Sequence, residues 1–421
     1  MSTMKKIKGL LSTVLALTLT ASCSQATNNS QTSVESNVKF VDPFIGTGGH
    51  GHTYPGATVP FGMVQLSPDN PTAGWDWSSG YHHSDNTIVG FSHTHLSGTG
   101  VGDLLDILVL PFRGEYKDHP KDKKGRLFTP FSHDNETAEP GYYTVALPQE
   151  QVTAELSVTQ RTGVHRYTYQ GDAPAKLFFD LGYNKNADRP VMTFIRVDSD
   201  KKISGYRVST GWAKLQPIYF TAEFNQPFTY QLYKNGTPVK GLNLKARLGQ
   251  AELNFGNLNG KPLVAKVGIS YTGIQAADDN LQSEVAGFDF DSVRTKAQQV
   301  WQQQLNTIDI VKGNEVDKKI FYTALYHTSL APQTFSDVNG NYYGGDGAVH
   351  RADGYNRYTL FSLWDTFRAL QPLLTITNPD RIDDMAKSMM GFYKETGLLP
   401  SWEFVGNETD VMIGYHAVPV L

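Results

Sequence analysis

The hydrophobic repeat of this 421-residue chain changes period once, near residue 285. Upstream, "PIYFTAEF" sets Ile218, Phe220, Ala222 and Phe224 against Tyr219, Thr221 and Glu223, and "AKVGISY" puts Val267, Ile269 and Tyr271 on one face. An alternation of two suits a strand buried on one side. Asn235-Gly236 and Asn259-Gly260 are tight-turn dipeptides. Many short strands joined by such turns predict an antiparallel sandwich over residues 39–285. Downstream, "DSVRTKAQQVWQQQLNTI" places Val293, Ala297, Val300, Trp301, Leu305 and Ile308 on one helical stripe, with Asp291 or Ser292 as its cap. "NPDRIDDMAKSMMGFYKETG" opens on Asn378 and Pro379, carries Ile382, Met385, Met389 and Phe392 on one stripe and stops at Gly397, the expected asymmetry of helix ends. The expected fold class is therefore multi-domain β + α: the sandwich, a helical linker over 286–313 and an all-α domain over 314–421. More than one domain is also what this length calls for.

The N-terminus points out of the cytoplasm. Lys5, Lys6 and Lys8 precede "GLLSTVLALTLTASC", a run too short to span a bilayer but of signal-peptide proportions. It ends at Cys23, the only cysteine, directly after Ala21 and Ser22. That arrangement is similar to a bacterial lipobox, with Thr20 where Leu is more usual, and it predicts a lipoprotein-type signal over 1–23 with Cys23 lipidated. The alternative is an ordinary cleaved signal with an incidental cysteine. The expected location is the periplasm or outer membrane of a Gram-negative bacterium, with the membrane reached through an N-terminal lipid anchor. A single cysteine holds no internal disulfide, so stability must come from core burial. Residues 24–38 are rich in Ser, Thr, Asn and Gln and read as a flexible tether. The net charge of −4 and the lack of a dense Lys/Arg run argue against a nucleic-acid partner.

Chemistry concentrates in a few stretches. Half of the twelve histidines fall between His50 and His95, among many glycines. Gly48, Gly49 and Gly51 lack the following Lys-Ser/Thr of a phosphate cradle. His93 and His95 are spaced as a metal pair on a strand or as buried histidines satisfying a loop core. In "GWDWSSG", Trp75 and Trp77 flank Asp76; the indoles either stack on a sugar ring or plug the sandwich. In "FSLWDTFRALQ" a helix would put Leu363, Phe367 and Leu370 on one face, with Leu374 extending it unless Pro372 breaks the turn, and leave Trp364, Asp365 and Arg368 off it. Asp365 and Arg368 are then three apart and able to pair. "PSWEFVGNETDVMIGYH" repeats the chemistry with Trp402, Glu403, Glu408, Asp410 and His416, Glu408 alternatively serving a helix start.

Together, "VDPFIGTGGHGHTYPGATVPFGMVQLSPD", "GWDWSSGYH", "GFSHTHLSGTG", "YTLFSLWDTFRALQPLLT" and "GLLPSWEFVGNETDVMIGYHAVPV" resemble glycoside hydrolase family 92, the exo-acting α-mannosidases, over nearly all of residues 39–421. The resemblance implies that the helices after 314 begin an (α/α)6 barrel, incomplete here, with the active site between barrel and sandwich. It implies calcium-dependent, inverting removal of terminal α-mannose, most often 1,2-linked, from N-glycans or mannan. Inversion requires an acid and a base roughly 6.5–9.5 Å apart. The resemblance places that acid, that base and most calcium ligands beyond Leu421, so no catalytic residue is assigned within the chain. It carries Trp75, Trp77, Asp103, Trp364, Asp365 and Arg368 over as mannose-binding, with Arg368 holding Asp365 charged. The alternative from another class is a non-catalytic surface glycan-binding lipoprotein. A disaccharide phosphorylase would need an anion site, and no suitable basic cluster is present.

Overall fold

The upstream segments form antiparallel strands, some alternating buried and half-buried positions, as in Tyr142–Leu147, and others buried along their whole length, as in Leu108–Phe112 and Lys176–Asp180. The computed structural model describes residues 36–421; the leader over 1–23, Cys23 and the tether up to residue 35 lie outside the described residues. One sheet has eight strands, running from Ala57–Thr58 through Gln65–Asp69, Gly90–Ser92, Leu108–Phe112, Lys176–Asp180 and Gly249–Asn254 to the hairpin Thr229–Lys234/Thr237–Val239. The other has nine, with Gln216–Phe224 and Leu263–Ser270 near its middle and Glu136–Glu139 at an edge. Ile218, Phe220, Ala222 and Phe224 all point into the core, as predicted. The sheets meet through side chains such as Phe179 and Phe220, whose rings stack at 6.2 Å. The Asn235-Gly236 turn has both residues at positive φ, the geometry a two-residue hairpin needs.

Helix α1 (Ile274–Glu284) lies against the outer face of this sheet. Strand Leu263–Ser270 is therefore buried on both faces, not on one. Helix α2 (Phe290–Leu305) buries Val293, Ala297, Trp301 and Leu305, while Val300 is 40% exposed and leaves the predicted stripe. Its cap is Asp289, whose side chain accepts from the Ser292 amide, rather than Asp291 or Ser292. Helix α3 is Glu315–His327. Asn37 and Val38, assigned to the tether, instead belong to a 3-10 turn: the Asn37 amide donates to Asn306, and Val38 packs on the cluster around Trp301 and Tyr322.

The segment after α3 is not all-α. Short strands intervene, including the hairpin Asn341–Tyr343/Val349–Arg351 and the sheet Phe361–Ser362/Trp402–Phe404/Asn407–Glu408. Residues 361–371 do not form one helix either. A strand leads into α4 (Leu363–Thr366), and α5 (Leu370–Thr377) restarts with Pro372 in its first turn. A proline there removes no intrahelical bond, because first-turn amides have no partner. Helix α6 (Pro379–Thr396) keeps its predicted ends: Pro379 opens it and Gly397, at φ 84°, closes it. Asn378 does not cap it. Its amide exchanges hydrogen bonds with Gln304 of α2 at 2.7 and 3.1 Å.

Candidate functional site

A cleft of about 280 Å³ opens where the sandwich loops meet the helical part. One wall is the loop Leu96–Thr99, a second the segment from His327 to Gln333, and a third Leu360, Ser362, Asp365, Thr366, Gln371 and Trp402. The 96–99 loop is held by its neighbours: Gly98 donates to the His52 carbonyl at 2.7 Å, and Ser78 donates to the Thr99 carbonyl at 2.8 Å. At the third wall, Ser362 donates to the exposed Asp365 carboxylate, and Thr366 donates back to the Ser362 carbonyl at 2.7 Å. These bonds follow from the strand-to-helix turn at Ser362–Leu363, which leaves Asp365 one helical turn above Ser362. His327 reaches the cleft with Nε2 lacking a hydrogen-bond partner. Burial pushes its imidazole down to about 4, so it is neutral at pH 7.

Of the six sugar contacts expected from sequence, Asp365 alone lines this cleft. Trp75 sits on the far side of the 96–100 loop, so close to Gly100 that a Cβ there would lie 2.4 Å from its indole nitrogen. It is 58% exposed and bracketed by His50 and His52 at 5.1 and 4.2 Å. Between them Asp76 meets His50 at 2.5 Å, a contact that lowers the carboxyl's pKa. Trp77 turns inward over His82 at 4.6 Å.

Asp103 is buried behind the cleft wall, 1% exposed. Its oxygens accept from the amides of Leu104 at 2.7 Å and Trp212 at 2.6 Å. Burial raises its pKa to about 7. Trp212 packs at 4.5 Å on Trp402, which faces the cleft, so Asp103 braces a wall through two intermediates. Trp364 and Arg368 stay outside the lining. Arg368 donates to the Trp364 carbonyl at 3.3 Å and lies over the Phe367 and Trp364 rings. Among the described residues no ion pair joins it to Asp365, so the expectation that Arg368 holds that carboxylate charged fails; Ser362 takes the position instead.

The 402–416 stretch also separates. Trp402 lines the cleft. Glu408 lies in a strand, not at a helix start, and its carboxylate accepts from the amides of Ser401 and Trp402 at 2.8 and 3.0 Å. Glu403 is buried and accepts from Thr359, Leu360 and Gly406. Asp410 pairs with Lys214 at 3.0 Å and His416 stacks on Phe367 at 4.2 Å. His93 and His95 are both buried and spoken for: His93 by the Ile107 carbonyl and His165, His95 by the Gln65 carbonyl, Ser92 and Asp69. They are not a metal pair. His327 and Thr366 were missed by sequence reasoning, because neither sits in a motif with a chemical signature.

The family model described as glycosyl hydrolase family 92 N-terminal domain matches residues 40–270, and that described as the family 92 catalytic domain matches 276–421. The chain belongs to glycosyl hydrolase family 92. Family 92 structures similar to it include an α-mannosidase from Bacteroides thetaiotaomicron solved with mannoimidazole, 36% identical, with a TM-score of 0.88 over 92% of this chain and 52% of that one. A second family 92 enzyme from the same organism, described as an inverting mannosidase, is 29% identical, with a TM-score of 0.81 over 91% and 52%. An uncharacterized secreted glycosidase of Arthroderma benhamiae is 26% identical over 72% of this chain and 42% of its own length. The chain thus spans about half the length of the relatives it matches.

Calcium, which the family resemblance implies, takes six to eight oxygens in a charged cage. The cleft supplies one carboxylate, Asp365, beside neutral hydroxyls and an amide. Among the described residues the one group of three metal-capable side chains is His83, His133 and Glu136, two of them nitrogen donors. Residues 36–421 do not fit a calcium cage by themselves.

Proposed function

We propose that this chain forms the sandwich side and first helical elements of an exo-acting α-mannosidase, and that the 280 Å³ cleft receives the terminal mannose. The observation that carries the reading is the meeting of Leu96–Thr99 with Asp365 and Trp402 in one cleft, in a chain whose family 92 relatives include a mannosidase solved with mannoimidazole. Asp365 accepts from sugar hydroxyls, oriented by Ser362. His327 and the almost fully buried Trp402 (3% exposed) form the wall and floor behind it, while Ser362 and Thr366 add hydroxyls beside the carboxylate. Trp75, outside the cleft but 58% exposed, is available to a more distant sugar of the glycan. The helices from α3 onward are the start of an (α/α)6 barrel, and the acid and base of an inverting hydrolysis, with the calcium ligands, come from outside residues 36–421. The substrate is a 1,2-linked α-mannoside of N-glycans or mannan. Export is part of the reading, supported by the leader pattern and by a relative described as secreted, with Cys23 as the lipid-anchored residue. No helix among the described residues is long and apolar enough to cross a membrane.

The test is calorimetric titration of the 421-residue chain with mannose, beside an assay of mannose release from α-1,2-mannobiose. The chain binds mannose without releasing it, and Asp365→Ala weakens binding by about tenfold or more, the worth of a hydrogen bond to a charged group. Unchanged binding in that variant removes the cleft assignment. Turnover by this chain overturns the placement of acid and base elsewhere.

A further inference from the structure

His83, His133 and Glu136 offer ligand atoms that all lie within 4.8 Å of one another. They come from two segments about fifty residues apart, the turn after Tyr81 and the entry to the edge strand Glu136–Glu139. The His83 and His133 rings stack at 4.1 Å with 28° between their planes. Both Nδ1 atoms converge on the Tyr81 hydroxyl, at 3.4 and 3.3 Å, and His133 Nδ1 meets Glu136 at 2.6 Å.

The environment of Glu136 is what asks for an ion. Its side chain is 1% exposed, yet its hydrogen-bond donors are the neutral hydroxyls of Tyr81 and Tyr143, each at 2.6 Å, and His133. Among the described residues no Lys or Arg pairs with it, and His133 is its one ion-pair partner. A buried carboxylate calls for a counter-charge. The two tyrosines meanwhile fix both oxygens in the manner of outer-sphere partners that orient a metal ligand.

We propose that His83, His133 and Glu136 form a zinc site at the sandwich edge, with the Tyr81 hydroxyl, 2.6–3.4 Å from the three ligand groups, facing the fourth position. Two imidazoles and one carboxylate suit a borderline divalent ion rather than calcium. With metal–ligand bonds of about 2.0–2.2 Å in a tetrahedron, neighbouring donors stand about 3.3 Å apart. The His133–Glu136 contact of 2.6 Å therefore opens by about 0.7 Å and the wider separations close, which side-chain rotation supplies. Binding releases the proton on His133 Nδ1 and puts Zn²⁺ in its place. The ion ties the Tyr81–His83 turn to an edge strand that otherwise pairs only with Tyr142–Leu147.

The experiment uses the untagged full chain, stripped with chelator, equilibrated with zinc sulfate, desalted and assayed for metal. Wild type retains about one equivalent of zinc more than His83→Ala, and zinc raises the melting temperature of wild type but not of the variant. His83 is exposed, so its truncation leaves the core intact. Glu136→Gln likewise loses the metal. Equal zinc retention in wild type and His83→Ala, or none in wild type, overturns the site.

Discussion

Glu403 is buried with backbone amides and Thr359 around its carboxylate, and burial outweighs both the nearby Arg357 charge and those bonds to raise its pKa from 4.5 to about 7. The folded state thus holds a proton more tightly than the unfolded one. The stability this lends is full below about pH 4.5 and is lost as pH rises through 7, at up to about 1.4 kcal/mol per pH unit. Lowered histidines such as His93 and His327 act in the opposite sense but cancel in a comparison with Glu403→Gln. In urea unfolding between pH 5 and 7 the free energy of wild type minus that of the variant should decline as pH rises; a constant difference would exclude the titration. Asp365 and Trp402 could be picked out from sequence because each stands out chemically in an apolar run. The family resemblance alone carries Asp103 over as a sugar contact; its role as a backbone clamp depends on Gly211, where a Cβ would lie 2.5 Å from the carboxylate. Nothing local in "GTGVGD" specifies a partner more than a hundred residues away.

Helices α2 and α6 were readable because their apolar stripes repeat over several turns. Helix α1 was not. In "IQAADDNLQSE" the docking face is Ala276, Ala277, Asn280 and Leu281, too small and mixed to stand out. The helix seats on a strand that has made room for it: a Cβ at Gly268 would lie 2.5 Å from the Ala277 carbonyl and 2.6 Å from Leu281 Cβ. Neither neighbour can yield without moving the helix backbone. Gly268→Ala should therefore cost about 1–3 kcal/mol, the range for an overfilled core, and lower the urea midpoint with an unchanged slope. An unshifted midpoint would mean that α1 is not held against the sheet. The 333–362 hairpins were mistaken for helical territory because Gly and Asn dominate "SDVNGNYYGGDGAVH", which offers neither period clearly.

Across the whole described unit, the change of period at residue 285 marks a change of architecture but not a place where contacts thin out. Trp301 of α2 is fully buried and donates to the Thr58 carbonyl of the first sheet at 2.6 Å. Arg161 pairs with Glu284 of α1 at 2.9 Å and donates to the Ser336 carbonyl at 2.7 Å. Asp337 then accepts from Ser270, Thr272 and Asn280, at 2.9, 2.5 and 2.7 Å, binding the end of a central strand and α1 to the segment beyond α3. These seams are buried and hydrogen-bonded, unlike the wet, polar contacts of domains that move independently. Heating should therefore melt strands and helices in one transition, with far-ultraviolet and aromatic circular dichroism coinciding. Trp301→Ala, expected to cost about 3–5 kcal/mol, should lower that single transition without splitting it. A calorimetric trace that resolves into two peaks, only the later of them insensitive to Trp301→Ala, would show that the helical part folds apart from the sandwich, and a sugar cleft built from both would then lack a fixed geometry.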